Sequence, residues 1–352
     1  MSVFPDIQTN QLVRRHDLDW LRVLVFGVLI FYHIGMLYVA NWDFHYKSQY
    51  RSQPLEALML LVNQWRMPLL WVISGISIRF VLQKVSAFKF VTVRSLRLLL
   101  PLLFGILVVV PPQLYVEMTG KGELSVSYWQ FYQLFFDLDN PIFAKYQDGI
   151  LPHIDVNHLW YLRELWTFSL ITLCLSPLLN SRLVQAGVDW IANKTGVLGL
   201  YLLPLIPLII VSIALPDDKS ATGFTFLLYG YLIGWNIGLW ENIKKYRQVF
   251  LLIAIILFAY FNVWLNPVLK AMWWAELLGL VALFNAWSGV LALLGFAAVY
   301  LNKPSAKLSY LNDAVLPYYI LHQTFIVVLA FLLSPMQLGP VFEPLLIIVG
   351  TF

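Results

Sequence analysis

The chain is short of charge and has almost no cysteine. Asp, Glu, Lys and Arg make up 12% of its 352 residues, about half of the ~25% usual in soluble domains. An ordinary water-exposed surface is excluded by that shortage. One cysteine, Cys174, sits in an apolar run; an intramolecular disulfide is excluded, and nothing follows about redox compartment. The six histidines are scattered and no ligand spacing stands out, so no metal site is expected. No nucleic-acid partner is expected either. No block is polar enough to form a separate soluble domain and no short-period repeat occurs, so 1–352 reads as one domain. Met1 to Gln11 lack a positive region followed by a short apolar core. A cleavable signal is therefore not expected, and the first helix is expected to act as an uncleaved insertion signal.

What is present is apolar sequence in long runs. The chain is 60% hydrophobic with a mean hydropathy of +0.74. Apolar spans lie near 18–39, 57–79, 95–112, 158–179, 197–215, 222–240, 248–265, 273–300, 313–334 and 338–352. Most approach the ~20 residues that cross a bilayer. The expected fold is an all-α polytopic integral membrane bundle of about ten transmembrane helices, with the lipid bilayer as its solvent. Its 14 Trp, 18 Tyr and 24 Phe fit aromatic belts at the two interfaces. Pro68, Pro101, Pro204 and Pro317 fall inside spans and are expected to kink them. The last span is short and stops at Phe352, which reads as a partial helix or a missing native C-terminus. The longest polar stretch runs from about Pro112 to Asn157; within it, Tyr128-Trp129-Gln130-Phe131-Tyr132 suits an interfacial position.

Charge placement gives an orientation. Arg79, Lys84, Lys89, Arg94 and Arg97 occupy the second connection with no acid among them. Later alternate connections carry Arg182 and Lys194, then Lys244, Lys245 and Arg247, then Lys303 and Lys307, and the N-terminal arm carries Arg14 and Arg15. The opposite loops hold Asp137, Asp139, Asp148, Asp155, Asp217 and Asp218. By the positive-inside rule both termini of a ten-span chain are expected in the cytoplasm, with the long polar loop outside.

Ionisable groups inside spans are costly and mark functional candidates. Arg22 and His33 lie eleven positions apart in the first span. A helix turns about 1100° over that stretch, roughly 20° past three turns, and rises about 16 Å. Both side chains therefore share one face. His33 is the candidate general base, since a neutral imidazole accepts a hydroxyl proton near pH 7; the bland alternative is a histidine satisfied by a neighbouring hydroxyl. Arg94 and Arg97, at i and i+3, suit phosphate oxygens, or simply anchor the cytoplasmic side. With Arg22 they place three arginines at one leaflet, enough to hold a phosphate-rich donor. His322 is a second membrane histidine, structural or catalytic. His158, at an outer helix start, is a candidate for an acceptor sugar or for interfacial packing. Arg66 enters the second span from outside, toward a ligand or a buried partner such as Glu164 or Glu56.

Five pieces in order carry a resemblance: Asp19-Trp20-Leu21-Arg22 with ten residues before His33; Met67-Pro68-Leu69 running to Ser74-Gly75; Arg94 and Arg97; His158-Leu159-Trp160-Tyr161-Leu162; and Tyr319-Ile320-Leu321-His322. The chain resembles the acyltransferase-3 family of membrane acyltransferases, which includes surface-glycan O-acetyltransferases and periplasmic-glucan succinyltransferases. The resemblance covers nearly the whole chain. It implies an acyl-CoA donor, acetyl-CoA or a related short acyl-CoA, on the cytoplasmic side and a carbohydrate acceptor outside a bacterial inner membrane. Arg94 and Arg97 would then hold the nucleotide phosphates. Arg22 and His33 would be the catalytic candidates, with His33 acting as base on the acceptor hydroxyl or carrying the acyl group covalently. Arg66, His158 and His322 would serve the substrate. No extracytoplasmic hydrolase-like domain is appended, so a second-step transfer is expected to need a partner. Two other classes share these features: a secondary transporter, which would show paired broken helices in two halves, and a non-catalytic glycan-export partner.

Overall fold

A computed structural model describes residues 14–216, 218–234, 236–264 and 275–352. Met1–Gln11, Asp217 and the first residues of the 273–300 span lie outside the described residues. Helices account for the regular structure: α1 His16–Tyr38, α2 Leu55–Leu82, α3 Ala87–Phe104, α4 Pro111–Gly120, α5 Tyr128–Leu134, α6 Trp160–Leu179, α7 Arg182–Lys194, α8 Gly196–Leu202, α9 Leu205–Ala214, α10 Lys219–Ile233, α11 Ile237–Trp264, α12 Ala275–Tyr300, α13 Ala306–Leu333 and α14 Gly339–Thr351. No strand occurs among the described residues, only isolated bridges at Val39–Ser52 and Leu151–Ile154.

Among the described residues, 7 stretches are long and apolar enough to cross a bilayer: His16–Tyr38, Leu55–Leu82, Ala87–Gly120, Asn157–Leu179, Gly196–Ala214, Gly279–Tyr300 and Ala306–Met336. The protein is an all-α, multi-pass integral membrane protein. The remaining expected spans differ for local reasons. The 222–240 run yields α10, 15 residues long. The 248–265 run joins α11, whose first turns carry Glu241, Lys244, Lys245 and Arg247. The terminal run yields α14, 13 residues, which rises about 20 Å against a ~30 Å core.

Proline acts in two ways. Pro68, Pro101 and Pro317 are contained within α2, α3 and α13, whereas Pro204 stands at the break between α8 and α9. Between α3 and α4 the chain makes a π turn, Gly105–Val109, closed by Val110 N–H donating to Gly105 O at 2.8 Å. Pro111 and Pro112 follow at the start of α4, where a missing N–H is harmless.

Contacts divide the chain into two compact units that interleave in sequence. The first takes residues up to Val25, Leu60–Val91 and Phe168–Asn312. In it α2 and α10 cross backbone to backbone. A Cβ on Gly75 would stand 1.8 Å from Leu227 O, and one on Gly230 would stand 2.0 Å from Val72 O. Small residues allow such crossings, where packing replaces the hydrophobic drive. The second unit takes Phe26–Met59, Thr92–Thr167 and Asp313–Phe352. Its polar loop is organised on a hydrophobic cluster of Met118, Leu124, Phe131, Phe135, Phe143 and Ile154. Helix α5, the expected interfacial segment, starts at a capping box of Ser127 and Gln130. It buries Phe131 and exposes Trp129.

Candidate active site

In the second unit, α1 and α13 bring two of the singled-out histidines into contact. His322 Nδ1 lies 2.8 Å from Tyr319 O. A carbonyl only accepts, so this nitrogen carries the proton. In neutral His322 the other nitrogen, Nε2, is then an acceptor, and it faces His33 Nδ1 at 2.9 Å. His33 therefore donates from Nδ1, and its lone pair is assigned to Nε2. This is the arrangement of a base with an orienting partner: a backbone carbonyl fixes one ring, which fixes the next. Phe44 stacks on the His33 ring, with centroids 6.4 Å apart and planes 17° apart.

His158 joins the same cluster, its ring centroid 5.3 Å from that of His322. It is buried. Its Nε2–H donates to Ile320 O at 2.9 Å, and Nδ1 receives Gln113 Nε2 at 3.3 Å. Tyr319 closes the corner by donating from its hydroxyl to His158 O at 2.5 Å. Both ring nitrogens of His158 thus tie the short turn that leads into α6, Asn157–Leu159, to neighbouring segments. Three carboxamides extend the network. Gln323 donates to Gln113 Oε1 at 3.0 Å and to Asn157 Oδ1 at 3.2 Å. Gln113 donates to Thr324 at 2.6 Å. Gln113 and Gln323 are buried, and buried amides are retained only when so satisfied. No local pattern points to Gln113, His45 or Glu117, since each stands alone between apolar neighbours or in a loop. Gln323 follows His322 directly in the chain, and nothing in the local sequence marks it either.

The first unit contains a different feature. A cavity of about 430 Å³ is lined by Arg14, Arg15, Leu18, Asp19, Arg22, Ile76, Ser77, Phe80, Val81 and Lys84. Four cations face one carboxylate there. Arg22 donates to Ser77 Oγ at 2.7 Å, and its other amino nitrogen lies 3.7 Å from Asp19. Arg14 pairs with the same carboxylate at 2.9 Å. Arg15 is bidentate to buried Asp17 and lies 3.8 Å over the Trp240 ring. The Asp19-Trp20-Leu21-Arg22 motif thus supplies one cation to the cavity and the acid that spaces its neighbours. A net-positive concavity of this kind fits a phosphate-bearing ligand.

The remaining candidates are placed as follows. Arg94 and Arg97 lie on α3 in the second unit. Arg94 is half-buried, in register with buried Leu98 and Leu102, whereas Arg97 is exposed alongside Leu100 and Phe104. Between them Ser95 Oγ accepts from Trp166 Nε1 at 3.0 Å, which fixes α3 against α6. Arg66 is buried in α2 in the first unit. Of the carboxylates named for it, Glu56 accepts from Asn41 at 2.7 Å and Trp42 at 3.1 Å, and Glu164 accepts from Arg163 at 3.1 Å.

The fold defines a multi-pass helical membrane protein, and it carries an oriented imidazole pair and a cationic cavity. More narrowly, the chain belongs to the acyltransferase-3 family: residues 15–352 match that family's acyltransferase domain. It is a membrane acyltransferase. No curated protein and no solved structure matches it.

Proposed function

We propose that this acyltransferase moves an acetyl or other short acyl group from cytoplasmic acyl-CoA to a hydroxyl of an extracytoplasmic glycan, across a bacterial inner membrane, with its N-terminus in the cytoplasm. The observation that carries the reading is the His33–His322 pair. The His33 Nε2 lone pair takes the acceptor hydroxyl proton as its oxygen attacks the thioester carbonyl. The C–S bond breaks, and the departing CoA sulfur receives that proton. A covalent acyl-imidazole would use the same nitrogen, and a burst of CoA release before acceptor is added distinguishes the two routes. Arg22, with Arg14, Arg15 and Lys84 around the same cavity, supports a phosphate-bearing donor, and Arg94 and Arg97 are assigned to the same ligand. His322 orients His33, and His158 positions the helices around it. Arg66 stays a candidate on the acceptor side.

The test is release of CoA from labelled acetyl-CoA by purified protein, with mass spectrometry of surface glycans made with and without the protein. Acyl transfer to glycan is expected; thioester that stays intact with every acceptor overturns the reading. Orientation is tested with single cysteines in a Cys174→Ser background. Ser86 and Ser125 are exposed, and Ser125 avoids the capping hydroxyl of Ser127. A membrane-impermeant thiol reagent on intact cells should label Ser125→Cys and not Ser86→Cys; the opposite pattern inverts the topology.

A further inference from the structure

The segment Val39–Gln53 links α1 to α2 and is held by carboxylates from three helices. Glu343 of α14 accepts from Ser48 at 2.6 Å and from Tyr38 at 3.2 Å. Glu56 of α2 accepts from Asn41 and Trp42. Glu117 of α4 meets His45 Nδ1 at 2.5 Å, while its other oxygen accepts from Lys121 at 2.6 Å. Backbone bonds fix the rest: Ser48 N–H to Leu37 O at 3.0 Å and Ser52 N–H to Tyr38 O at 2.7 Å. Lys47 donates to Met36 O at 2.7 Å and also to Val39 O, satisfying carbonyls at the end of α1. Burial pushes the Lys47 ammonium below its usual range.

His45 is gripped from a second side. Its Nε2 accepts from Asn157 Nδ2 at 3.0 Å. Asn157 has φ of 47°, a left-handed conformation uncommon outside glycine. Its side chain is held in turn by Gln323, the residue after His322. The residue before His45 is Phe44, whose ring stacks on His33. The two ends of the grip therefore converge on the two members of the imidazole pair.

We propose that His45 and Glu117 form a positioning pair for acyl transfer, holding Phe44 against the His33 ring so that His33 keeps the orientation in which it donates to His322. This rests on His33 carrying the transfer. Neither His45 nor Glu117 needs to touch substrate.

The experiment compares acyl-transfer kcat and acetyl-CoA affinity in Glu117→Gln, Phe44→Leu, their double variant and Phe44→Tyr. Misplacing a reacting group by about 1 Å can lower a rate by about a hundredfold. Glu117→Gln and Phe44→Leu should each lower kcat roughly tenfold or more, with donor affinity unchanged. Two changes that act through one contact do not add, so the double variant should match the worse single. Phe44→Tyr keeps the ring and should keep most of the rate. Multiplied losses in the double variant, or wild-type kcat in either single, overturn the proposal. If Glu117→Gln does not fold, equal kcat for Phe44→Leu and Phe44→Tyr overturns it alone. An active wild type with unaffected variants removes only this inference, whereas a wild type without turnover removes the functional reading too.

Discussion

The histidine cluster and the cationic cavity are built on opposite principles. Around His33 every mapped donor is matched to an acceptor, ring to ring and amide to amide, and the chain of bonds ends on backbone carbonyls of α13. Around Arg22 cations outnumber acids, and the space of about 430 Å³ is open. A closed network fixes geometry and protonation, which is what a proton-transfer step needs. An excess of one charge attracts a ligand and tolerates some freedom in its pose. One region suits chemistry and the other suits capture, although helix α1 contributes to both.

That contrast can be broken by substitution. The largest effect is expected at the base. His33→Ala should lower turnover by 10²-fold or more, in line with the roughly 10²–10⁴-fold typical of general bases, while the protein inserts and purifies normally; this is read by CoA release. Next is its partner. His322→Ala should cost about ten- to a hundredfold in kcat, and His322→Gln less, since an amide oxygen can still accept from His33 Nδ1. Equal rates for the two would remove the orienting role. Smaller losses are expected in the cavity. Charge-assisted contacts are worth roughly 1.5–3 kcal/mol, so Arg22→Ala should weaken acyl-CoA binding about tenfold or more, with little change for acyl-pantetheine, which lacks the phosphates. On α3, half-buried Arg94 should matter more than exposed Arg97 in the same titration. The smallest effect lies away from both regions. Ser127→Ala removes the α5 cap and should cost about 1 kcal/mol of stability, seen as a lower melting temperature with kcat unchanged.

The two regions also differ in how legible they were. Arg22 and His33 could each be singled out in the sequence, because a charge inside an apolar run has few innocent explanations. Membrane helices announce themselves by length and hydropathy, so the all-α class followed directly. Kinks and breaks followed less well. Pro101 sits within α3, yet the π turn comes at Gly105–Val109, four residues on. The contact between His33 and His322 joins residues 289 positions apart, and no local pattern encodes such a pairing. Gln113, His45 and Glu117 were missed for the same reason. Arg94 and Arg97 share a face by spacing, but burial separates them, because Leu98 and Leu102 turn inward while Leu100 and Phe104 remain exposed.

The division of labour is tested most directly by titrating acetyl-CoA into His33→Ala and Arg22→Ala proteins and measuring turnover on the same samples. His33→Ala should bind donor as the wild type does and release almost no CoA. Arg22→Ala should bind about tenfold more weakly and approach the wild-type rate at saturating donor. Loss of donor binding in His33→Ala, or a turnover defect in Arg22→Ala that saturation does not relieve, would contradict the separation of chemistry from capture.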